Sequence, residues 1–299
     1  MNYYNLIKNE LINNEIYKKA KDYSKNKNDL KTYYNVGKIL IDAQGGERRA
    51  KYGNGLIKEY SNRLTKELGK GYSIASLKNM RSFYLFCEKG YAMDSQLSWM
   101  HYRMLLPLTD FNEIKYYIEL VNKYNIGYRE LEQKIKNKEY ERIPQNTKEK
   151  INNNIDNKID DYIKNPILIK NKNNYEEISE KILQQMILED IPSFLSELGS
   201  GYAFIKNEYK IKIGNTYNYI DLLLFNIEFN CYVVVELKVT DLKKEHIGQV
   251  EVYMNFIDKH LKSDNQNKTI GIILVRRDNK YIIEYSSDSR IISRTFELV

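Results

Sequence analysis

Two hydrophobic periodicities divide the chain. From Tyr3 to about Ile135, apolar residues recur every three or four positions, the spacing of helices that bury one face. Over residues 54–69, Leu56, Ile57, Tyr60, Leu64 and Leu68 fall on one side, and Gly69 with Gly71 stops the helix. Ser73 is placed to cap the next helix, whose expected buried stripe is Ile74, Leu77, Met80, Tyr84 and Cys87. Its outward face carries Ala75, Lys78, Asn79 and Ser82, with Arg81 on the flank. Two amphipathic helices joined by a glycine-containing turn fit a helix-turn-helix, although any helical bundle contains such pairs. Further helices are expected over residues 110–124 and 128–135, and Trp99 beside Tyr102 reads as a core anchor.

Residues 144–161 are polar and rich in Asn and Lys, either a flexible linker or a polar helix. The expected division is therefore a helical domain at 1–143, a linker at 144–162 and a second domain at 163–299. In that second domain the period shortens to two. A helix over 175–198, with Pro192 as a point of interruption, leads to strands at 204–213, 217–225 and 231–239. A helix at 244–261 and strands at 269–276 and 281–285 complete the order αβββαββ. The fold class expected is α+β in two domains, the first all-α and the second a mixed sheet with helices covering its faces.

Charges inside the apolar strands carry the candidate chemistry. A hairpin centred between Glu228 and Phe229 sets Asp221 opposite Glu236, and Glu236 shares a strand face with Lys238. Opposed like charges destabilise such a pair by roughly 0.2–1 kcal/mol when exposed and by more when buried. A divalent cation offsets that cost directly. Mg²⁺ or Mn²⁺ suits Asp221 and Glu236 with the Leu237 carbonyl as a third ligand, and Lys238 is placed to orient water or stabilise phosphate charge. The chemistry described is hydrolysis of a phosphodiester. The alternative is a plain surface hairpin with a weak Glu236–Lys238 pair and a solvated Asp221; the apolar run from Val233 to Leu237 argues against it.

Charge distribution names the partner class. Net charge is +7, and residues 1–150 hold 28 Lys+Arg against 18 Asp+Glu, so the basic excess lies in the helical half. Clustered Lys and Arg supply the sequence-independent attraction for phosphates, so nucleic acid is the leading partner; the alternative, a biased composition with a merely soluble surface, covers the total charge but explains its asymmetry less well. Arg48, Arg49 and Lys51 sit in a glycine-bounded loop that is either a phosphate contact or a solvated connection. Two cysteines, Cys87 and Cys231, exclude a disulfide framework or zinc cluster, and His101, His246 and His260 lack ligand spacing and read as ordinary surface or interface histidines. No run of about 18 apolar residues and no signal-peptide core occur, so a cytoplasmic location away from membranes is expected.

The strand order with an acid on the second strand and Glu-x-Lys on the third resembles the core of PD-(D/E)XK nucleases. Residues 194–204, 219–223, 231–238, 246–253 and 270–274 are similar to the YhcG-like family, and Lys51-Tyr52-Gly53, Gly71-Tyr72-Ser73, residues 80–84 and 97–103 are similar to that family's N-terminal helix-turn-helix or winged-helix domain. The resemblance implies a DNA-binding domain joined to a Mg²⁺- or Mn²⁺-dependent endonuclease, in a family often associated with defence against foreign DNA. By position it makes Asp221 and Glu236 metal ligands and Lys238 the catalytic lysine. Gln249 and Tyr253 then face the same site from the following helix. Such cores usually take a glutamate from their first helix, where this chain has Gln184; Glu180, one turn earlier, is a substitute. Double-stranded DNA is the expected substrate, with a homodimer supplying one site per strand. A weakened nuclease fold that only binds DNA, and an RNA nuclease, are the alternatives.

Overall fold

The computed structural model describes residues 2–19, 25–46, 53–91, 93–94, 96–145, 147–149, 161, 163–284 and 288–299. It falls into two compact units, Met1–Tyr140 and Glu141–Val299. The first is helical: α1 (Tyr3–Lys19), α2 (Lys25–Ala43), α3 (Gly53–Leu68), α4 (Ile74–Glu88), α5 (Trp99–Leu105), α6 (Phe111–Tyr124) and α7 (Tyr128–Lys136). A short helix, α8 (Glu139–Arg142), spans the boundary. Among the described residues no helix is long and apolar enough to cross a membrane.

Ser73 caps α4 as its position predicts, its hydroxyl accepting from the Ser76 N–H at 3.2 Å. The buried stripe of α4 is rotated from the expected one. Leu77, Met80, Phe83 and Phe86 are buried, whereas Ile74 is exposed and Tyr84 and Cys87 only half-buried. α2 approaches α4 on its Met80–Tyr84 side, where a Cβ at Gly37 would lie 2.2 Å from the Met80 carbonyl oxygen, so only glycine allows the approach. Phe83 and Phe86 are buried because they pack against Trp99 and Tyr102 of α5. Trp99 packs with Tyr33 and Phe83, as a core anchor should. His101 is buried rather than on the surface, and its Nδ1 accepts from the Ser98 N–H that opens α5.

The second unit is built on one mixed sheet of six strands, in the spatial order β1-β6-β5-β4-β3-β2. They are β1 (Ile167–Ile169), β2 (Tyr202–Ile213), β3 (Thr216–Asn226), β4 (Cys231–Leu237), β5 (Asn267–Val275) and β6 (Ile291–Leu298). β2, β3 and β4 form an antiparallel meander, and β4, β5, β6 and β1 run parallel. Leu222, Leu224, Val233, Val235 and Leu274 pack under α9 (Glu180–Glu189) and α10 (Ile191–Leu198). Leu223, Val234, Ile273 and Val275 pack on the other side under α11 (Lys244–His260). β4 is therefore apolar almost throughout because it is covered on both faces. At Gly271 on β5, a Cβ would meet Val250 Cγ1 at 2.3 Å, so α11 lies directly against the sheet.

Two strand expectations are corrected. Residues 281–284 lie in α12 (Lys280–Glu284), not in a strand; Tyr285 is outside the described residues. A short apolar run such as Tyr281-Ile282-Ile283 fits either period. The last strand is instead Ile291–Leu298, whose Ser293, Arg294 and Glu297 hid it, and the three-residue β1 gave too little pattern to register. The helix over 175–198 is broken not by Pro192 itself but at Asp190, which caps α10 through the Ser193 N–H. Burial alone would raise the Asp190 carboxyl, but Lys170, Lys172 and Ser193 hold it well below the usual carboxylate range.

The β3–β4 register is set by the turn. Asn226, fully buried, accepts from the Phe229 N–H at 3.0 Å and donates to the Ser200 carbonyl at 3.1 Å. Pairing then runs from Asn226↔Cys231 to Leu222↔Val235. Replacing Asn226 with Ala strands both backbone groups, and urea denaturation should show a loss of about 1–3 kcal/mol.

Candidate active site

β3 and β4 part beyond the Leu222↔Val235 pair, and the next residue on each strand is an acid. Asp221 turns its Oδ2 to the Leu237 N–H at 2.8 Å, which bridges the fork. Glu236, 2% exposed, faces the same opening from β4. Lys238 follows it, with Nζ 2.8 Å from Glu236 Oε1 and 3.4 Å from Glu180 Oε2. The three strand charges expected to meet do meet.

α9 supplies the next pair. Ser179 caps it by accepting from the Ile182 N–H at 3.2 Å, which sets Glu180 in its first turn and Gln184 one turn on. Gln184 is buried, and its Nε2 donates to the Asp221 carbonyl oxygen at 3.0 Å. An ionised glutamate at 184 has no hydrogen to give that carbonyl, so glutamine here has a function of its own in holding β3. Glu180 brings the negative charge instead, through Lys238.

From the other side, α11 presents Gln249 and Tyr253, which are joined to each other by a 3.0 Å hydrogen bond from Gln249 Nε2 to the phenol oxygen. Burial raises the Tyr253 phenol while that hydrogen bond pulls it down, and the charges of Glu236, Asp221 and Lys238 all reach it. His246, in the first turn of α11, is buried, rather than an ordinary surface or interface histidine. Its Nδ1 accepts from the Lys243 N–H at 3.2 Å, and burial, then the Lys238 charge, lower its pKa. Glu208 is the residue that sequence reasoning missed. It lies between the pairs Asn207↔Leu222 and Tyr209↔Ile220, across from Asp221, with a left-handed φ of 46°, and its charge raises the Asp221 carboxyl further. Only its strand position, not any apolar context, could have flagged it.

The electrostatics are unfavourable as they stand. Burial first, then the Asp221 charge, push the Glu236 carboxyl up to about 7 against the pull of Lys238. Asp221 is raised as well, chiefly by burial, with the Leu237 N–H and Lys238 opposing. For Lys238, burial works against the cation, but the hydrogen bond to Glu236 and the charges of Glu236, Glu180 and Asp221 raise it overall. Glu236 Oε2 is buried and has no hydrogen-bond partner. An orphaned carboxylate oxygen beside a second carboxylate fits a divalent cation. Among the described residues no three His, Cys, Asp or Glu side chains gather as a ready metal cluster, so water, backbone carbonyl or phosphate oxygens have to complete the coordination, as Mg²⁺ prefers.

The remaining predicted contacts lie in the helical unit. Lys78 is exposed on α4, and Asn79, Arg81 and Ser82 are half-buried; Arg81 Nε donates to Gln44 Oε1 at 2.9 Å. Arg48, Arg49 and Lys51 lie outside the described residues. Cys87 and Cys231 are free thiols pushed up by burial to about 12 and about 11, which makes them inert.

Glu236 takes up its proton as pH falls through about 7, so its charge weakens the metal-free fold above that pH and not below the ordinary carboxylate range. Glu236→Gln should therefore stabilise the protein in EDTA at about pH 8.5, by on the order of 1 kcal/mol. Near pH 4.5 the two proteins should melt together, roughly where an unfolded glutamate titrates; calorimetry at both pH values checks this.

Residues 160–295 match the family described as YhcG PDDEXK nuclease domain, and residues 10–142 match the DUF1016 N-terminal domain. The chain is 25% identical over 286 residues to the Escherichia coli (strain K12) protein named "Putative nuclease YhcG", covering 81% of this chain and 75% of that protein. Two solved structures are similar over 42% of this chain. The "crystal structure of a repair endonuclease from Pyrococcus abyssi" matches at 21% identity with a TM-score of 0.29, over 49% of its length. The "Structure of EndoMS-dsDNA2 complex" matches at 19% identity with a TM-score of 0.28, over 48% of its length. This chain thus spans about half of either solved chain. With its two halves matched in this order, the chain belongs to the YhcG-like PD-(D/E)XK nuclease family, a DUF1016 N-terminal domain followed by a YhcG PDDEXK nuclease domain.

Proposed function

We propose that the protein is a Mg²⁺- or Mn²⁺-dependent DNA endonuclease that hydrolyses phosphodiester bonds at the β3–β4 fork. The observation that carries this reading is Glu236: a buried carboxylate with one oxygen unpartnered, beside Asp221 and next to Lys238. Asp221, Glu236 and the Leu237 carbonyl would hold the cation. When bound, it supplies Lewis acidity, neutralising charge on the phosphodiester and making water a better nucleophile.

The chain's own groups do the rest. Lys238, with its ammonium between Glu236 and Glu180, is poised to orient the attacking water and to hold charge building on the phosphate. Gln184 keeps the Asp221 backbone in place by its hydrogen bond. Gln249 and Tyr253, linked on α11, offer an amide and a phenol to position a phosphate oxygen or water. The basic excess of residues 1–150 supports a nucleic-acid-holding role for the helical unit, with Lys78, Asn79, Arg81 and Ser82 of α4 and Arg48, Arg49 and Lys51 as contacts in a helix-turn-helix mode. Cutting both strands of a duplex needs two sites, which favours a homodimer.

Cleavage of plasmid and linear DNA should require Mg²⁺ or Mn²⁺, stop with EDTA, and fall by roughly 10²–10³ in Asp221→Ala and Lys238→Ala. DNA binding should persist in both variants. Undiminished cleavage by Asp221→Ala would overturn the proposal, and loss of binding without loss of folding would move these residues from chemistry to substrate holding. Gln184→Glu should slow cleavage at neutral pH, because it removes the donor to the Asp221 carbonyl and adds a like charge; a rate above that of the native protein would show that position 184 needs an acid after all.

A further inference from the structure

The β2–β3 hairpin continues past the carboxylates. Asp221 lies midway along β3, and Tyr219 and Tyr217 precede it by two and four residues and share one side of the strand with each other. The register sets Lys210 beside Tyr219 and Lys212 beside Tyr217. These four side chains form a two-by-two patch that begins two residues before Asp221 on β3. The other side of this segment is closed, since Ile211 and Ile220 are buried in the core beneath α11. The patch itself is open: Tyr217 is 52% and Tyr219 51% exposed, and both lysines are exposed. Charge and ring are interleaved, with Lys210 Nζ 3.8 Å and Lys212 Nζ 5.9 Å from the centre of the Tyr217 ring.

Part of this pattern has a plain structural reason. β2 is an edge strand, and lysines on an edge prevent unwanted strand pairing. That accounts for Lys210 and Lys212. It does not account for two adjacent, half-open aromatic rings on β3, a strand whose Leu222, Leu223 and Leu224 are wholly buried. Alternating basic and aromatic side chains on an open strand face are what a nucleic-acid strand binds: lysines meet phosphates, and rings stack on bases. Bases inside a duplex are already stacked on their neighbours, so the rings reward only an unpaired base.

We propose that Lys210, Lys212, Tyr217 and Tyr219 form a platform that takes an unpaired nucleotide segment next to the bond to be cut. The inference rests on the nuclease reading of the fork and narrows its substrate to nucleic acid with a single-stranded stretch, such as an overhang, flap or bubble. The rings hold the bases, the lysines hold the backbone, and the platform stands two to four residues along β3 from Asp221.

The full chain in EDTA, with a single-stranded DNA of about 12 nucleotides carrying 5-iodouracil, separates binding from cleavage. Photo-crosslinks should map to Tyr217 or Tyr219. In fluorescence anisotropy, Tyr217→Ala/Tyr219→Ala should weaken single-strand binding roughly 10-fold while changing blunt-duplex binding less than about twofold. Tyr217→Phe/Tyr219→Phe, which keeps both rings, should bind as the native protein does, and this shows that the fold is not at issue. Crosslinks confined to other segments, an equal loss on single strand and duplex, or unchanged binding in the alanine variant would each overturn the platform. The same oligonucleotides incubated with Mg²⁺ or Mn²⁺ test the nuclease reading separately: its failure appears as intact DNA with the native protein, whatever the variants bind.

Discussion

Burying Glu236 beside Asp221 is the constraint from which the rest of the sheet-bearing unit follows. Two carboxylates facing one fork, one of them almost without solvent, are costly unless something positive meets them. Lys238 meets one oxygen of Glu236, and the other has no partner. A structure that keeps such an oxygen buried and unpaired has given up stability at that point. Stability given up at a fork lined by Asp, Glu, Lys, Gln and Tyr is what the proposed cation site would require.

The architecture keeps that arrangement in register. Asn226 closes the β3–β4 turn, the turn fixes the pairing, and the pairing sets the two acids one residue beyond its end. Helices on both faces then complete the fork. α9 brings Glu180 to Lys238 and Gln184 to the Asp221 backbone, while α11, held against β5 at Gly271, brings Gln249 and Tyr253. The hairpin of β2 and β3 continues beyond Asp221 to exposed tyrosines and lysines. The proposed catalytic and substrate-holding residues thus occupy adjacent stretches of one strand.

Much of this was legible in the sequence because it depends on local spacing. The two-residue period of Glu236 and Lys238, the centre of the hairpin and the four-residue step from Gln249 to Tyr253 each bring side chains together without any long-range information. Contacts between distant segments were not legible. Nothing local says that Gln184 donates to a carbonyl 37 residues away, and without that bond the glutamine looked only like a missing acid. His246 looked solvent-exposed because its hydrogen bond to the Lys243 N–H depends on how α11 begins. Glu208 was unremarkable until the β2–β3 register set it across from Asp221. The same limit explains α4, whose buried side includes Phe83 and Phe86 because those rings pack against Trp99 and Tyr102 of α5.

The central claim is that the orphaned oxygen of Glu236 and the Asp221 carboxylate share a divalent cation. Anomalous scattering from crystals of the protein grown or soaked with Mn²⁺ locates that ion directly, independent of any substrate. A single strong peak between the Asp221 and Glu236 carboxylates, next to the Leu237 carbonyl, is the result expected. Mn²⁺ peaks elsewhere with none at the fork, under conditions that leave both carboxylates ionised, would contradict the account.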